Sequence, residues 1–165
     1  MVDYVIDTNV WVTVDKPLAQ ASSNEEFDCI ESCNQWLRRF MNSDDRLVVD
    51  RLYVIFKEYR GQITPSRRRA NQWLNALERA PRNKIVDVDI QWDDDGYAVI
   101  PFHLTDPNDR KFAAVALAHN PTPPIVNATD ADWETDKAQL QKAGIIIQEL
   151  CPVYIQKIIR KKAGE

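Results

Sequence analysis

Short apolar runs, each about the length of one buried strand, recur along the chain and alternate with segments of helical spacing. The runs lie at residues 3–6, 46–50, 125–128 and 145–147. Strands that are apolar along their whole length are typical of parallel sheets whose two faces are both covered by helices. The alternation therefore predicts an α/β fold with a mainly parallel sheet and helices on both of its faces.

Capping residues predict where several helices begin. Ser23 opens the capping-box pattern S-x-x-E, and Asp50 is the last residue of a predicted strand, where it can cap the next helix. Pro65 suits the first position of another helix, and Asp106 suits the N-cap of a further one. Residues 133–143 are also predicted to be helical.

The segment between these helices predicts a strand followed by a hairpin. Apolar residues alternate over 84–92, which is the spacing of a half-buried strand. The turn sequence Asp-Asp-Gly at 94–96 then precedes a second run at 97–102. Such a turn between two runs indicates a hairpin.

Length and composition describe one globular domain spanning residues 1–165. No segment approaches the roughly 18 uninterrupted apolar residues of a membrane span, and the N-terminus lacks the features of a signal peptide. The cysteines are odd in number, and two lie four apart on one predicted helix: Cys29, Cys33 and Cys151. We therefore expect no disulfide framework and a cytoplasmic location.

Charge is segregated along the chain, although the net charge is only −4. Residues 51–84 hold nine Lys or Arg against two Glu, whereas residues 85–109 hold seven Asp and no Lys or Arg. A concentrated basic segment predicts a surface that faces phosphate groups. The alternative is a solvated helix face.

Carboxylates follow the predicted strands. Because ligands of open α/β sheets bind at the carboxyl ends of the strands, these acids are the candidate site: Asp7, Asp50, Asp109, Asp130 and Asp132. Glu58 joins them because it lies on the apolar stripe of its helix, where burial of a carboxylate must be compensated. Several acids without His or Cys suit Mg²⁺ or Mn²⁺, which can activate water for phosphodiester hydrolysis.

Each acid also has a structural interpretation. Aspartates can serve as caps of turns or helices, an alternative that applies to Asp7, Asp106, Asp109, Asp130 and Asp132. Glu58 can form an ion pair with Arg51 or Arg60. We interpret His103 and His119 as structural or surface residues.

The sequence around four of these acids resembles the motifs of the PIN-domain nucleases. The motifs are VIDTNVW around Asp7, FKEY around Glu58, DRKFAAVA from Asp109 and NATDADW around Asp130. They occur in the family's order over about residues 3–150. One departure is Ala128, where the family often has Thr or Ser.

This resemblance implies a three-layer α/β/α sandwich and cleavage of RNA by a Mg²⁺- or Mn²⁺-dependent endoribonuclease that leaves a 5′-phosphate. The implied catalytic residues are Asp7, Glu58, Asp109 and Asp130. The implied metal ligands are the same four residues with Asp132. Small members of the family are often toxins held by a small antitoxin protein, and many form homodimers.

Substrate contacts are expected from residues around the acids and from the basic segment. These are Asn9, Arg51, Lys57, Arg60, Arg67, Arg68 and Arg69. Two other functions stay open. A phosphatase with a strand-end Asp nucleophile usually needs a second Asp where Asn9 stands, and a non-catalytic PIN-like module would bind RNA or protein without metal.

Overall fold

Five parallel strands form one sheet in the computed structural model, which describes residues 1–79 and 81–164. The strands are β1 Asp3–Ile6, β2 Arg46–Asp50, β3 Ile85–Val88, β4 Ile125–Asn127 and β5 Ile147–Glu149. Their order across the sheet is β3-β2-β1-β4-β5, so β1 lies at the centre between β2 and β4. The chain winds outward from β1 in both directions, which is the arrangement that creates a binding crevice at the carboxyl edge.

Helices flank this sheet and complete a three-layer α/β/α sandwich, as predicted. They are α1 Thr8–Val14, α2 Asn24–Asn42, α3 Val54–Gln62, α4 Arg68–Arg79, α5 Pro81–Lys84, α6 Arg110–Ala118, α7 Asp132–Thr135, α8 Lys137–Lys142 and α9 Pro152–Lys162. Among the described residues, no helix combines the length and the apolar character that a membrane crossing requires.

The predicted caps are present. The Ser23 hydroxyl accepts a hydrogen bond from the Glu26 amide at the start of α2. The Asp50 carboxylate accepts from the amides of Val54 and Ile55, both at 2.9 Å, and so caps α3. Asp106 accepts from the Asn108 amide in the 3₁₀ turn that leads into α6. Asp50 therefore has a structural role at its strand end.

Four boundaries differ from the prediction. Helix α4 begins at Arg68 rather than at Pro65, because Thr64 to Arg67 form a separate turn closed by a 3.0 Å backbone bond. Strand β3 stops at Val88, because its partner β2 ends at Asp50, which pairs with Val88. Strand β5 covers 147–149 instead of 145–147. The helix expected at 133–143 is broken into α7 and α8 at Asp136.

The predicted hairpin forms a small loop beside the sheet. Trp92 and Ala98 pair as one antiparallel bridge, and the Asp93 amide donates to the Tyr97 carbonyl at 2.8 Å. Gly96 has a φ of 85°, which is a conformation that favours glycine at this turn.

The hydrophobic core lies between the sheet and its helices, and part of it supports the edge where the acids were predicted. Trp11 and Tyr59 are fully buried and their rings lie 5.6 Å apart. The Tyr59 hydroxyl donates to the carbonyl of Ile6, the last residue of β1. This contact ties α3 to the point where the chain leaves the sheet, directly before Asp7.

The expectation that no disulfide forms is wrong. Cys29 of α2 and Cys151, next to α9, are joined by a disulfide, while Cys33 is a buried free thiol. The two bonded residues are 122 positions apart, so no local spacing pattern connects them. The cysteine count consequently does not support a reducing compartment.

Reduction of this disulfide should lower the free energy of unfolding by roughly 2–4 kcal/mol, because the bond closes a long loop in the unfolded chain. Thermal melting with and without a thiol reductant measures the effect. A Cys151→Ser variant should be insensitive to the reductant, whereas Cys33→Ala should stay sensitive. Equal melting temperatures of the wild-type protein in both conditions would show that the bond contributes no stability.

Candidate functional site

Three aspartates that were predicted to converge do so at the carboxyl edge of the sheet. Carboxylate oxygens of Asp7, Asp109 and Asp130 all lie within 4.8 Å of one another. Asp7 follows β1 and Asp130 follows β4, and these strands are parallel neighbours. Asp109 ends the 3₁₀ turn that leads into α6. Topology therefore brings together residues that are far apart in the sequence.

A second group of carboxylates shares Asp109 with the first. Asp106, Asp109 and Asp132 also have oxygens within 4.8 Å of one another. Asp132, implied as a metal ligand by the resemblance, is thus placed at the margin of the site. Asp106 both caps the 3₁₀ turn and faces this group.

Crowding and burial raise the pKa of each member of the first group. The pKa of Asp7 rises to about 7, mainly through burial, although the indole N–H of Trp133 opposes the rise. The pKa of Asp109 rises to about 9 through burial and then the charges of Asp7 and Asp130. Burial also raises the pKa of Asp130. Full ionisation of the group is therefore costly without a compensating positive charge.

The donor set fits a hard cation. Each candidate ligand is a carboxylate oxygen, which Mg²⁺ and Mn²⁺ prefer over nitrogen or sulfur donors.

No family model, curated protein or solved structure matches this chain significantly. A functional proposal therefore rests on the side chains of the site and on the resemblance of their sequence motifs.

Glu58 does not join either group of aspartates among the described residues. One oxygen of its carboxylate lies 2.6 Å from the Lys111 ammonium, and the other accepts from the Thr8 hydroxyl. The predicted ion-pair alternative is thus present with a different partner than Arg51 or Arg60. Glu58 still lies close enough for its charge to raise the pKa of Asp7.

Lys111 is a residue of the site that sequence reasoning missed. Its side chain is only 8% exposed, and its ammonium also donates to the Asn108 carbonyl at 2.6 Å. A positive charge at this depth partly offsets the neighbouring carboxylates, and it lowers the pKa of Asp109. The available signal was a lysine in the first turn of α6, directly before the apolar run that begins at Phe112.

Asn9 braces the loop that carries Asp130 instead of facing a substrate. Its side-chain amide donates to Asn127 at 3.0 Å, and its oxygen accepts from the amides of Ala128 and Thr129 at 2.9 and 3.2 Å. Both polar atoms of the side chain are thus engaged within the protein. Ala128, which stands where the family often has Thr or Ser, is fully buried. Its backbone amide makes the hydrogen bond to Asn9.

Trp133 and Glu149 also make polar contacts at the site, and the sequence did not assign them to it. The indole N–H of Trp133 donates to the Asp7 carboxylate at 2.5 Å and holds its orientation. Glu149, at the end of β5, accepts from Asn127 at 2.8 Å. Burial raises the pKa of Glu149 to about 7.

Two arginines of the basic segment are neutralised by acids of the chain itself. Arg51 pairs with Asp87 at 2.9 Å and Asp89 at 2.6 Å. Arg60 pairs with Glu78 at 2.8 Å. These contacts favour a structural role for both guanidinium groups over contact with a substrate.

The three consecutive arginines lie beyond the far end of α1. The amide of Ala70 donates to the Asp15 carboxylate at 2.7 Å, which places the start of α4 at the end of α1 opposite Asp7. Arg69 donates to Asn34 of α2, Arg67 is half-buried, and Arg68 is exposed. Helix α1 spans about 10 Å, so the start of α4 is anchored at the end of this helix away from Asp7. Lys57 is exposed on the helix of Glu58, and its contact with a substrate stays a prediction.

Proposed function

We propose that this protein is a divalent-metal-dependent endoribonuclease of the PIN type. The observation that carries the proposal is the convergence of Asp7, Asp109 and Asp130 at the carboxyl edge of a parallel sheet. Three buried or partly buried carboxylates at one point are unfavourable unless the site binds a cation. The resemblance of the surrounding motifs to those of PIN-domain nucleases supplies the reaction and the RNA substrate.

The residues of the site would either bind the metal ion or hold its ligands in position. Asp7, Asp109 and Asp130 would hold Mg²⁺ or Mn²⁺, with Asp132 at the margin. A bound cation of this kind lowers the pKa of a coordinated water and neutralises a scissile phosphate. Trp133 orients Asp7, and Asn9 holds the loop of Asp130 against α1.

Histidine chemistry has no support at this site. His119 pairs with Asp3 at 3.1 Å and contacts the Pro121 carbonyl, which places it at the amino end of β1, opposite Asp7. His103 is exposed.

The phosphatase alternative is also disfavoured, since the position it needs for a second Asp is Asn9, whose side chain braces a loop. The further proposals of a cytoplasmic toxin, its antitoxin and a homodimer rest on the resemblance and the size of the chain.

Cleavage of a labelled single-stranded RNA should be lost in EDTA and return on addition of Mg²⁺ or Mn²⁺, because the cation activates the attacking water. Gel separation of the products measures it. The His103→Ala and His119→Ala variants should retain cleavage. Undiminished cleavage in EDTA, or its loss in these histidine variants alone, would indicate a metal-independent nuclease and contradict the proposal.

A further inference from the structure

Helix α9 leaves the sheet beside the candidate site. The amide of Leu150, two residues before the helix, donates to the carbonyl of Asn127 at 2.8 Å. Asn127 in turn donates to the carbonyl of Asp130 at 2.8 Å. Midway along α9, Lys157 pairs with Glu25 in the first turn of α2 at 3.0 Å. The helix therefore begins beside the loop that carries Asp130 and continues past the start of α2.

One face of α9 combines an aromatic ring, an aliphatic side chain and two lysines. Tyr154, Ile158, Lys161 and Lys162 follow the i, i+4, i+7, i+8 spacing of a single helix face. With Ser22 and Lys157 they line an open cavity of about 320 Å³. Tyr154 and Ile158 are partly exposed, and both terminal lysines are exposed.

The lysines at the end of this face are available to an external anion. Lys157 pairs with Glu25 at 3.0 Å, but within the part of the chain that the structure describes, Lys161 and Lys162 form no ion pair. Helix α9 itself contains no acidic residue. This contrasts with Arg51 and Arg60 of the basic segment, whose charges are matched by carboxylates.

We propose that the face of α9 formed by Tyr154, Ile158, Lys161 and Lys162 binds the single-stranded RNA that enters the aspartate site. This inference rests on the proposed function and names the surface that delivers its substrate. Single strands bind where a basic groove follows the phosphates and an aromatic ring stacks with a base. Lys161 and Lys162 provide the phosphate contacts, and the Tyr154 ring provides the stacking surface.

The test measures RNA binding in an Asp109→Asn background, in which cleavage is expected to be lost. Fluorescence anisotropy of a labelled single-stranded RNA gives the dissociation constant at several salt concentrations. The variant Lys161→Glu/Lys162→Glu should bind at least tenfold more weakly, and its salt slope should fall by about 1.4, since two phosphate contacts are lost. The matched control Arg67→Glu/Arg68→Glu makes the same change in net charge and should bind within about twofold of the parent.

The ring of Tyr154 is tested separately from the charges. Tyr154→Ser should weaken RNA binding roughly fivefold or more, because the stacking surface is lost. Tyr154→Phe keeps the ring and should bind like the parent. Equal binding by Tyr154→Ser and the parent would remove the stacking part of the proposal.

Failure of this inference and failure of the proposed function give different results. If the wild-type protein cleaves RNA with metal but Lys161→Glu/Lys162→Glu binds and cleaves equally well, the α9 surface is wrong and the function stands. If Arg67→Glu/Arg68→Glu is the weakened variant, the RNA follows the basic segment instead. If the wild-type protein neither binds nor cleaves RNA, yet binds anionic phospholipid vesicles through Lys161 and Lys162, both proposals are overturned.

Discussion

Replacement of Asp109 by Asn should abolish RNA cleavage, with a loss on the order of 100-fold or more, because a central metal ligand is weakened. The same substitution should raise the stability of the metal-free protein. Burial, followed by the charges of Asp7 and Asp130, raises the pKa of Asp109 to about 9, so its ionisation opposes folding. An amide of the same shape removes that opposition. Asp7→Asn should act in the same direction.

The stability gain should depend on pH in a defined direction. A carboxyl whose pKa is raised by folding binds its proton more tightly in the folded chain than in the unfolded chain. Stability therefore falls as pH rises from the ordinary value of 3.8 towards about 9 for Asp109. Asparagine does not ionise, so the advantage of Asp109→Asn should grow across this window and reach about 1–3 kcal/mol at neutral pH.

Thermal melting in EDTA at several pH values measures this effect, and Asp50→Asn is its matched control. Asp50 is also a buried strand-end aspartate, but it caps α3 and lies outside both groups of clustered carboxylates. Asp50→Asn should keep cleavage and gain no stability. If Asp109→Asn melted lower than wild type at pH 7 in EDTA, or cleaved RNA normally, the aspartate would be structural and the proposed metal site would be wrong.

Local chemistry explains how much of the fold and site could be predicted from the sequence. Buried strands can be recognised in the sequence as apolar runs, and capping residues such as Asp50 lie within a few residues of the amides that they bind. The meeting of Asp7 and Asp130 was predictable because parallel neighbours end at one edge of the sheet. In these cases the information lies within a few residues or in a general rule of topology.

Pairings between distant segments could not be predicted in the same way. The sequence offered only Glu58 as a partner of Arg51. The parallel register of β2 and β3 instead sets Asp50 beside Val88, so that Asp87 and Asp89 reach the guanidinium group of Arg51. The bond between Cys29 and Cys151 depends on the packing of α2 against the chain before α9. The number of Lys and Arg residues in 51–84 therefore overestimated the positive charge of this segment that is free to bind a phosphate group.

Replacement of Lys111 by Met should destabilise the metal-free protein by about 1–3 kcal/mol. Methionine keeps most of the buried chain but removes the ammonium that lies 2.6 Å from Glu58. Glu58 would then face the neighbouring aspartates without its positive partner. The expected loss is smaller than that for a fully buried pair, because the Glu58 side chain is 30% exposed and solvent screens its charge.

Addition of Mn²⁺ separates this electrostatic role of Lys111 from simple packing. In the variant, a bound cation should replace the missing positive charge, so Mn²⁺ should raise the melting temperature of Lys111→Met by more than it raises that of wild type. Lys137→Met removes an exposed ammonium 3.6 Å from Glu134 and serves as the control, with little change in either condition. An equal Mn²⁺ effect on wild type and Lys111→Met would mean that Lys111 only fills space. The larger effect in the variant would identify Lys111 as the charge that balances the site until a metal binds.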